Sequence, residues 1–140
     1  MINLAQSCTT LGELNRAHVD TAVAASGIVF TAVGPDFLCA EMPVDHRTVQ
    51  PYGLLHGGMS MVLAETLGSV ASRLVAQAPV AGVEINGSHL RAVREGRVTG
   101  VCTPVRIGRR LHVWRIGLFG PDGRASCESR LTVTVLGDGD

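Results

Sequence analysis

The sequence predicts an α+β domain in which six antiparallel strands curl around one long central helix. Three observations carry that expectation. Residues from about Gly58 to Ala76 have helix length and are apolar nearly all round: Met59, Leu63, Leu67, Val70, Ala71 and Leu74 share one face, and Met61, Val62, Ala64 and Val75 carry the apolar surface round the others. A helix without a broad polar face is buried or covered on several sides. Four β-like segments follow it, separated by turn signals, and two more precede it. With 140 residues and no repeat or low-complexity tract, residues 1–140 read as a single domain large enough to bury a core.

In chain order, Thr10-Leu11-Gly12-Glu13 fits a capping box that opens a short helix reaching about His18. Ser26–Val33 and Leu38–Val44 form a hairpin around Gly34-Pro35-Asp36. A loop from Asp45 to Gly53 leads into the main helix, which Gln77-Ala78-Pro79 ends. The later strands are Val80–Leu90, Gly96–Val105, Leu111–Phe119 and Ala125–Val135. Alternation is clearest where Trp114, Ile116 and Leu118 interleave with Val113, Arg115 and Gly117. Gly108-Arg109-Arg110 and Pro121-Asp122-Gly123 are the turns between consecutive strands.

Composition narrows the function classes. No window reaches the roughly 18 uninterrupted apolar residues of a membrane span, and Met1 to Thr10 carry neither a basic cluster nor a hydrophobic run. The expected placement is cytoplasmic. Cys8, Cys39, Cys102 and Cys127 are scattered without a Cys-x-x-Cys pair, which reads as small buried hydrophobes rather than a metal or redox motif. The formal net charge of zero hides an asymmetry: residues 1–72 hold two Arg against six acids, residues 73–140 ten Arg against six. Seven of those Arg lie between Arg91 and Arg115, and the chain has no Lys. Arg forks suit phosphates, so the cluster fits either a phosphorylated ligand or a solvated basic surface. The scarcity of aromatic residues argues against a nucleic-acid partner.

The most informative stretch runs from Gln50 through His56-Gly57-Gly58 to Glu65. Two glycines at a helix start leave backbone N–H groups unobstructed, at the end where the dipole favours negative charge. A carbonyl oxygen placed there would be polarised. Glu65, two turns in, is a carboxylate in an apolar helix, and is costly unless paired or used. It could act as base or nucleophile, or else form an ion pair or sit exposed. His56 could orient a substrate or simply cap the helix. Gln50 offers an amide donor for an oxyanion or water, or is an ordinary surface residue. Ser69, four residues after Glu65 and on its face, either bonds a water or substrate or returns its hydroxyl to the preceding turn. Ser72 falls one turn beyond, on the same side. There is no Gly-x-Ser-x-Gly elbow, no His-Glu-x-x-His, no ligand spacing among the five His and no nucleotide-binding Gly loop. No metal or redox cofactor is expected.

From Met42-Pro43-Val44-Asp45-His46-Arg47-Thr48-Val49-Gln50-Pro51-Tyr52-Gly53-Leu54-Leu55-His56-Gly57-Gly58 through Leu63-Ala64-Glu65-Thr66-Leu67-Gly68-Ser69, the chain resembles the hotdog-fold acyl-CoA thioesterases. The likeness is to the phenylacetate-pathway, hydroxybenzoyl-CoA and 1,4-dihydroxy-2-naphthoyl-CoA subgroup, nearest the naphthoyl-CoA and enterobactin-proofreading type. It extends over Gly82–Arg91 and Gly96–Pro104 and covers about Leu11 to Leu136. The resemblance implies that two subunits join sheets edge to edge, that two such dimers form a tetramer, and that each active site lies between subunits. Gln50, His56 and Gly57 would come from one chain, Glu65 and Ser69 from its partner. Val70 would line the acyl pocket. CoA contacts would fall at Gly82, His89, Leu90, Arg91 and Ala92, and at Arg106, Gly108, Arg109, Arg110 and Leu111. Tyr52 and Met59 vary between relatives and bear on acyl choice.

The resulting expectation is hydrolysis of an aromatic acyl-CoA to free CoA and a carboxylic acid. The rivals are an acyl or aryl carrier protein as thiol donor, a fatty acyl-CoA substrate, a hydratase or dehydratase on the same fold, and a non-catalytic acyl-CoA-binding protein. The hydratase patterns, a catalytic His before Phe-Pro or an Asp with a downstream His, are not in the chain.

Overall fold

A computed structural model describes residues 3–6 and 9–137. Its elements are a 3-10 turn at Leu4–Gln6, helices α1 (Leu11–Arg16), α2 (Ala22–Ala25) and α3 (Gly57–Ala76), and six strands. These are β1 (Val29–Val33), β2 (Leu38–Pro43), β3 (Val80–His89), β4 (Arg97–Ile107), β5 (Leu111–Phe119) and β6 (Ala125–Val135). All six pair antiparallel in one sheet of order β1-β2-β4-β5-β6-β3. The sheet wraps α3 in the expected hotdog arrangement. Leu63, Ala64, Leu67 and Ala71 on the helix are fully buried against Met42, Val98, Trp114, Ile116, Leu118 and Leu131 from the strands. The helix has the length and mean hydropathy (1.2) of a membrane span; its apolar residues are accounted for by the sheet around it.

Close approach of helix and sheet depends on glycines. A Cβ at Gly68 would stand 2.5 Å from the Leu131 side chain, and one at Gly100 2.5 Å from Leu67. Trp114 satisfies its buried indole by donating from Nε1 to Ser72 Oγ at 2.7 Å. Ser72 therefore turns into the core rather than toward Glu65.

Four departures from the predicted elements have a local reason, and the remaining boundaries agree to within one residue. Helix α1 has the expected capping box, with Thr10 and Glu13 bonding reciprocally, but stops at Arg16. Thr21 caps an unexpected turn of helix, α2, by accepting from the Val23 N–H. Gly27, at φ 73°, then carries the chain out of it, so β1 begins at Val29 rather than Ser26. At the other end of the sheet β4 runs past Val105 to Ile107, through a bulge between Pro104 and Arg106. Proline lacks the ladder N–H, and a bulge absorbs that while letting pairing resume. Of the cysteines, Cys39 is half-buried and Cys102 and Cys127 are buried, all as free thiols; burial raises the pKa of each. Cys8 lies outside the described residues.

The two sheet edges differ. At β1, the Asn15 amide brackets Phe30: Nδ2 donates to the Phe30 carbonyl at 3.1 Å and Oδ1 accepts its N–H at 2.8 Å. A side chain thus occupies backbone groups that a further strand would use. At β3 the outer edge is bare, and most of the strand from Gly82 to His89 is exposed.

One buried group makes stability depend on pH. His112 is 2 % exposed and its Nδ1 has no hydrogen-bond partner among the described residues. Burial lowers its pKa below the ordinary 6.5, with the Gly108 backbone opposing this. The folded state thus favours neutral imidazole, and the unfolded chain takes up a proton first on acidification. This stabilisation is complete above pH 6.5 and is lost as pH falls from there toward the folded-state value. Urea melts at pH 7.5 and 5.5 are expected to show lower stability at 5.5. His112→Leu should reduce that difference, and an equal loss in wild type and variant would assign it elsewhere.

Candidate active site

The loop before α3 is built to present the helix start. Asp45 accepts from Arg47, whose guanidinium and backbone N–H hold its carboxyl well below the usual carboxylate range. Thr48 Oγ1 donates to the Pro43 carbonyl at 2.7 Å, and the Thr48 carbonyl accepts the His56 N–H at 2.8 Å. A single bridge, Val49 to Leu55, closes the loop, and the Leu55 N–H bonds to the Val93 carbonyl. The chain therefore enters α3 at a fixed angle.

His56 is the N-cap, and its Nδ1 accepts the Gly58 N–H at 2.9 Å. Its ring is thereby committed to the helix start, while the Gly57 N–H has no acceptor among the described residues. Helix starts leave such donors unpaired unless a cap or ligand meets them. His89, at the end of β3, lies against Gly57: a Cβ there would be 2.7 Å from His89 Nε2. Gln50 Oε1 accepts the Tyr52 N–H, which leaves the Nε2 group as a donor. Gln50, Gly57 and His89 share a cleft of about 330 Å³ with Leu54, Leu55, Ser60 and the 90–93 segment. A second lobe of about 330 Å³ adjoins it across Arg91, Ala92, Val93 and Ser126, and is lined by Arg94, Glu95, Asp122 and Arg124.

Glu65 sits elsewhere. It is exposed in the single subunit, so the expected desolvation of a carboxylate inside an apolar helix does not arise there. Its Oε1 lies over Gly82, where a Cβ would come within 2.7 Å. The four side-chain ion pairs of the described residues involve Asp45, Glu41 and Glu128 and leave Glu65 out. Ser69, half-buried, follows on the same face, and Val70 turns into the core at 7 % exposure. Eight residues of helix separate Gly57 from Glu65, a rise of about 12 Å. Within one chain they cannot meet on one thioester carbon.

The expected CoA contacts also divide. Gly82 lies in a row with Val133, His112 and Ile107, beside the exposed Arg106, Arg109, Arg110 and Leu111 at the β4–β5 turn. His89 lies in the row of Cys127, Leu118 and Gly100, next to Leu90, Arg91 and Ala92. Seven strand residues, about 20 Å, separate the rows. The turn glycine, Gly108, closes onto the Leu111 carbonyl. Sequence reasoning missed Ser60, Leu54, Leu55 and Val93 in the cleft. Ser60 was the detectable one, since it stands three residues after Gly57 and so on the same helix face. Among the described residues no group of three or more His, Cys, Asp or Glu converges.

Fold and site together define a hotdog thioester hydrolase. The Thioesterase superfamily model matches residues 52–127, and the chain belongs to that family. It is 51 % identical over 130 residues to the proofreading thioesterase EntH of Cronobacter sakazakii, spanning 91 % of this chain and 95 % of that one. Among solved structures, thioesterase HI1161 from Haemophilus influenzae superposes with a TM-score of 0.94 at 43 % identity, covering 100 % of this chain and 98 % of its own. A glutamine-to-alanine mutant of thioesterase PA1618 from Pseudomonas aeruginosa gives 0.91 at 46 % identity, covering 94 % and 96 %.

Proposed function

We propose that the chain hydrolyses an aromatic acyl-CoA at sites each built from two subunits. The observation that carries this is the separation within one chain of an unpaired helix-start donor from an unpaired carboxylate. The bare β3 edge suits antiparallel pairing with a second copy about a two-fold axis near Ile85 and Asn86. That pairing sets Gly82 of one chain opposite His89 of the other, and neighbouring strands lie about 4.8 Å apart. Glu65 and Ser69 of one subunit then approach Gln50, His56 and Gly57 of the other. The same symmetry carries the Arg106–Leu111 turn toward the second copy's His89–Ala92. Two such dimers associate as a tetramer.

In this site the thioester oxygen accepts the Gly57 N–H, where the helix dipole stabilises developing negative charge. Gln50 Nε2 orients the carbonyl or the water. Glu65 either takes a proton from water as its oxygen bonds to the carbonyl carbon, or bonds to that carbon itself and is then hydrolysed off. The C–S bond breaks, the thiolate takes up a proton, and free CoA and the acid leave. The apolar cleft walls of Leu54, Leu55 and Val93 favour a flat acyl group.

A second reading, with the acyl group carried on a protein's phosphopantetheine arm, is favoured by one observation. Arg91, Arg94 and Arg124 around the second lobe form none of the four side-chain ion pairs of the described residues, and an acidic carrier surface would complement them. Thiol release from benzoyl-, hydroxybenzoyl-, naphthoyl- and straight-chain acyl-CoAs tests the proposal, and fast release from an aryl ester supports it. Release only from carrier-bound acyl groups, weakened by salt, would replace it with the second reading.

A further inference from the structure

The buried hydroxyls of this protein follow a rule that one residue breaks. Ser26 donates to the Ala22 carbonyl at 2.7 Å, Thr48 to Pro43 at 2.7 Å, Ser126 to Leu118 at 3.2 Å and Ser129 to Ile116 at 2.8 Å. Ser72 accepts from Trp114. Ser60 is as buried as these, at 4 % exposure, yet its hydroxyl bonds to nothing among the described residues and it lines the cleft beside Gly57. The one fully buried side-chain polar atom without a partner among the described residues is His112 Nδ1, so the Ser60 oxygen opens onto the cleft, where water meets it until a ligand displaces that water. The helix offers another partner in the carbonyl one turn back, which Ser26 uses. At Ser60 that carbonyl, on His56, is already taken by the Met59 and Ser60 N–H groups.

We infer that Ser60 is a specificity residue that hydrogen-bonds a hydroxyl on the substrate's acyl group. The inference rests on the thioesterase reading above. With the thioester oxygen at the Gly57 N–H, the substrate's two arms leave in different directions. The phosphate-bearing thiol arm takes the open route toward Arg91, because its charges need water or guanidinium groups. The acyl group is left with the inner wall of Leu54, Leu55 and Ser60, one helical turn deeper than Gly57. There an unsubstituted ring leaves the Ser60 hydroxyl unpaired, whereas a ring hydroxyl pairs it. A site built this way discriminates strongly, since the penalty falls on the analogue that lacks the group.

The experiment compares kcat/KM for benzoyl-CoA with that for the 2-, 3- and 4-hydroxybenzoyl-CoAs, in wild type, Ser60→Ala and Glu65→Ala. The expected result is a preference of about tenfold for at least one hydroxylated ester over benzoyl-CoA in wild type, which collapses toward parity in Ser60→Ala. Because the readout is a ratio within one variant, partial loss of folded enzyme cancels. Absence of any hydroxyl preference in wild type overturns the inference. So does a ratio unchanged in Ser60→Ala, including the case in which all four rates fall together, which would mean that Ser60 meets the thioester or the thiol arm. These results would leave the thioesterase reading standing as long as Glu65→Ala abolishes release. Loss of the preference in Ser60→Ala, with release still dependent on Glu65, supports the inference. Absence of Glu65-dependent release from every ester would remove the reading itself, and the role of Ser60 with it.

Discussion

Glu65→Gln is expected to lower thiol release from the best acyl-CoA by about a thousandfold or more, the scale of a lost general base or nucleophile. Glu65→Ala should do the same, because both chemical routes need the carboxylate. The fold should survive either change. Glu65 is exposed in the subunit and belongs to no ion pair there, so its removal opens no cavity, and surface changes of that kind cost about 0.5 kcal/mol or less. Thermal midpoints of the variants should lie within a few degrees of wild type while activity disappears. Rates within about tenfold of wild type in both would exclude Glu65 from the chemistry. A collapse of the midpoint alongside the rate would instead make Glu65 a structural residue of the assembly.

What the chain announced in advance divides along the range of the interactions. The start of α3 was legible because its signals are local: His56 caps Gly58 two residues away, and Thr10 and Glu13 form their box three residues apart. The strands after α3 were legible because alternation in β5 tracks one buried face. The pairings that assemble the site were not. Trp114 reaches Ser72 across 42 positions, and nothing near Ser72 says that it faces the core rather than Glu65. Gly57 meets His89 and Glu65 meets Gly82 because α3 crosses β3 at one particular height, which depends on register rather than on periodicity. Family resemblance supplied Gly82 and His89 as ligand contacts. The geometry adds a second reason for one of the glycines: a side chain at Gly57 would press on the His89 imidazole, whereas at Gly82 it would meet only the mobile end of the exposed Glu65. Ser60 escaped notice because a serine in an apolar helix is unremarkable until every other buried hydroxyl is seen to be paired.

Mixing two inactive variants should restore activity if each site draws on two subunits. Take Glu65→Gln as one partner and Gln50→Ala as the other, the second removing the amide donor from the opposite half of the site. In a two-fold dimer containing one copy of each, the Glu65 lost from the first chain belongs to the same site as the Gln50 lost from the second. One site then carries both lesions, and the other carries neither. Random reassortment makes half of the dimers mixed, so about a quarter of wild-type activity should return. If each chain instead built its own site, every site in the mixture would carry one lesion and mixing would restore nothing. Subunits refolded together from denaturant, with the thiol-release rate compared with that of each variant refolded alone, give the measurement. The same mixture reports on the β3 edge. A charge placed on its exposed surface by Val83→Asp, where the valine is 58 % exposed, should weaken pairing and reduce recovery. Asn15 already occupies the backbone groups of Phe30 at β1, so an equivalent charge at Val29 on that edge should leave recovery intact. Recovery that responds to Val29→Asp but not to Val83→Asp would move the subunit contact to the other side of the sheet, where it could not bring Glu65 to Gly57.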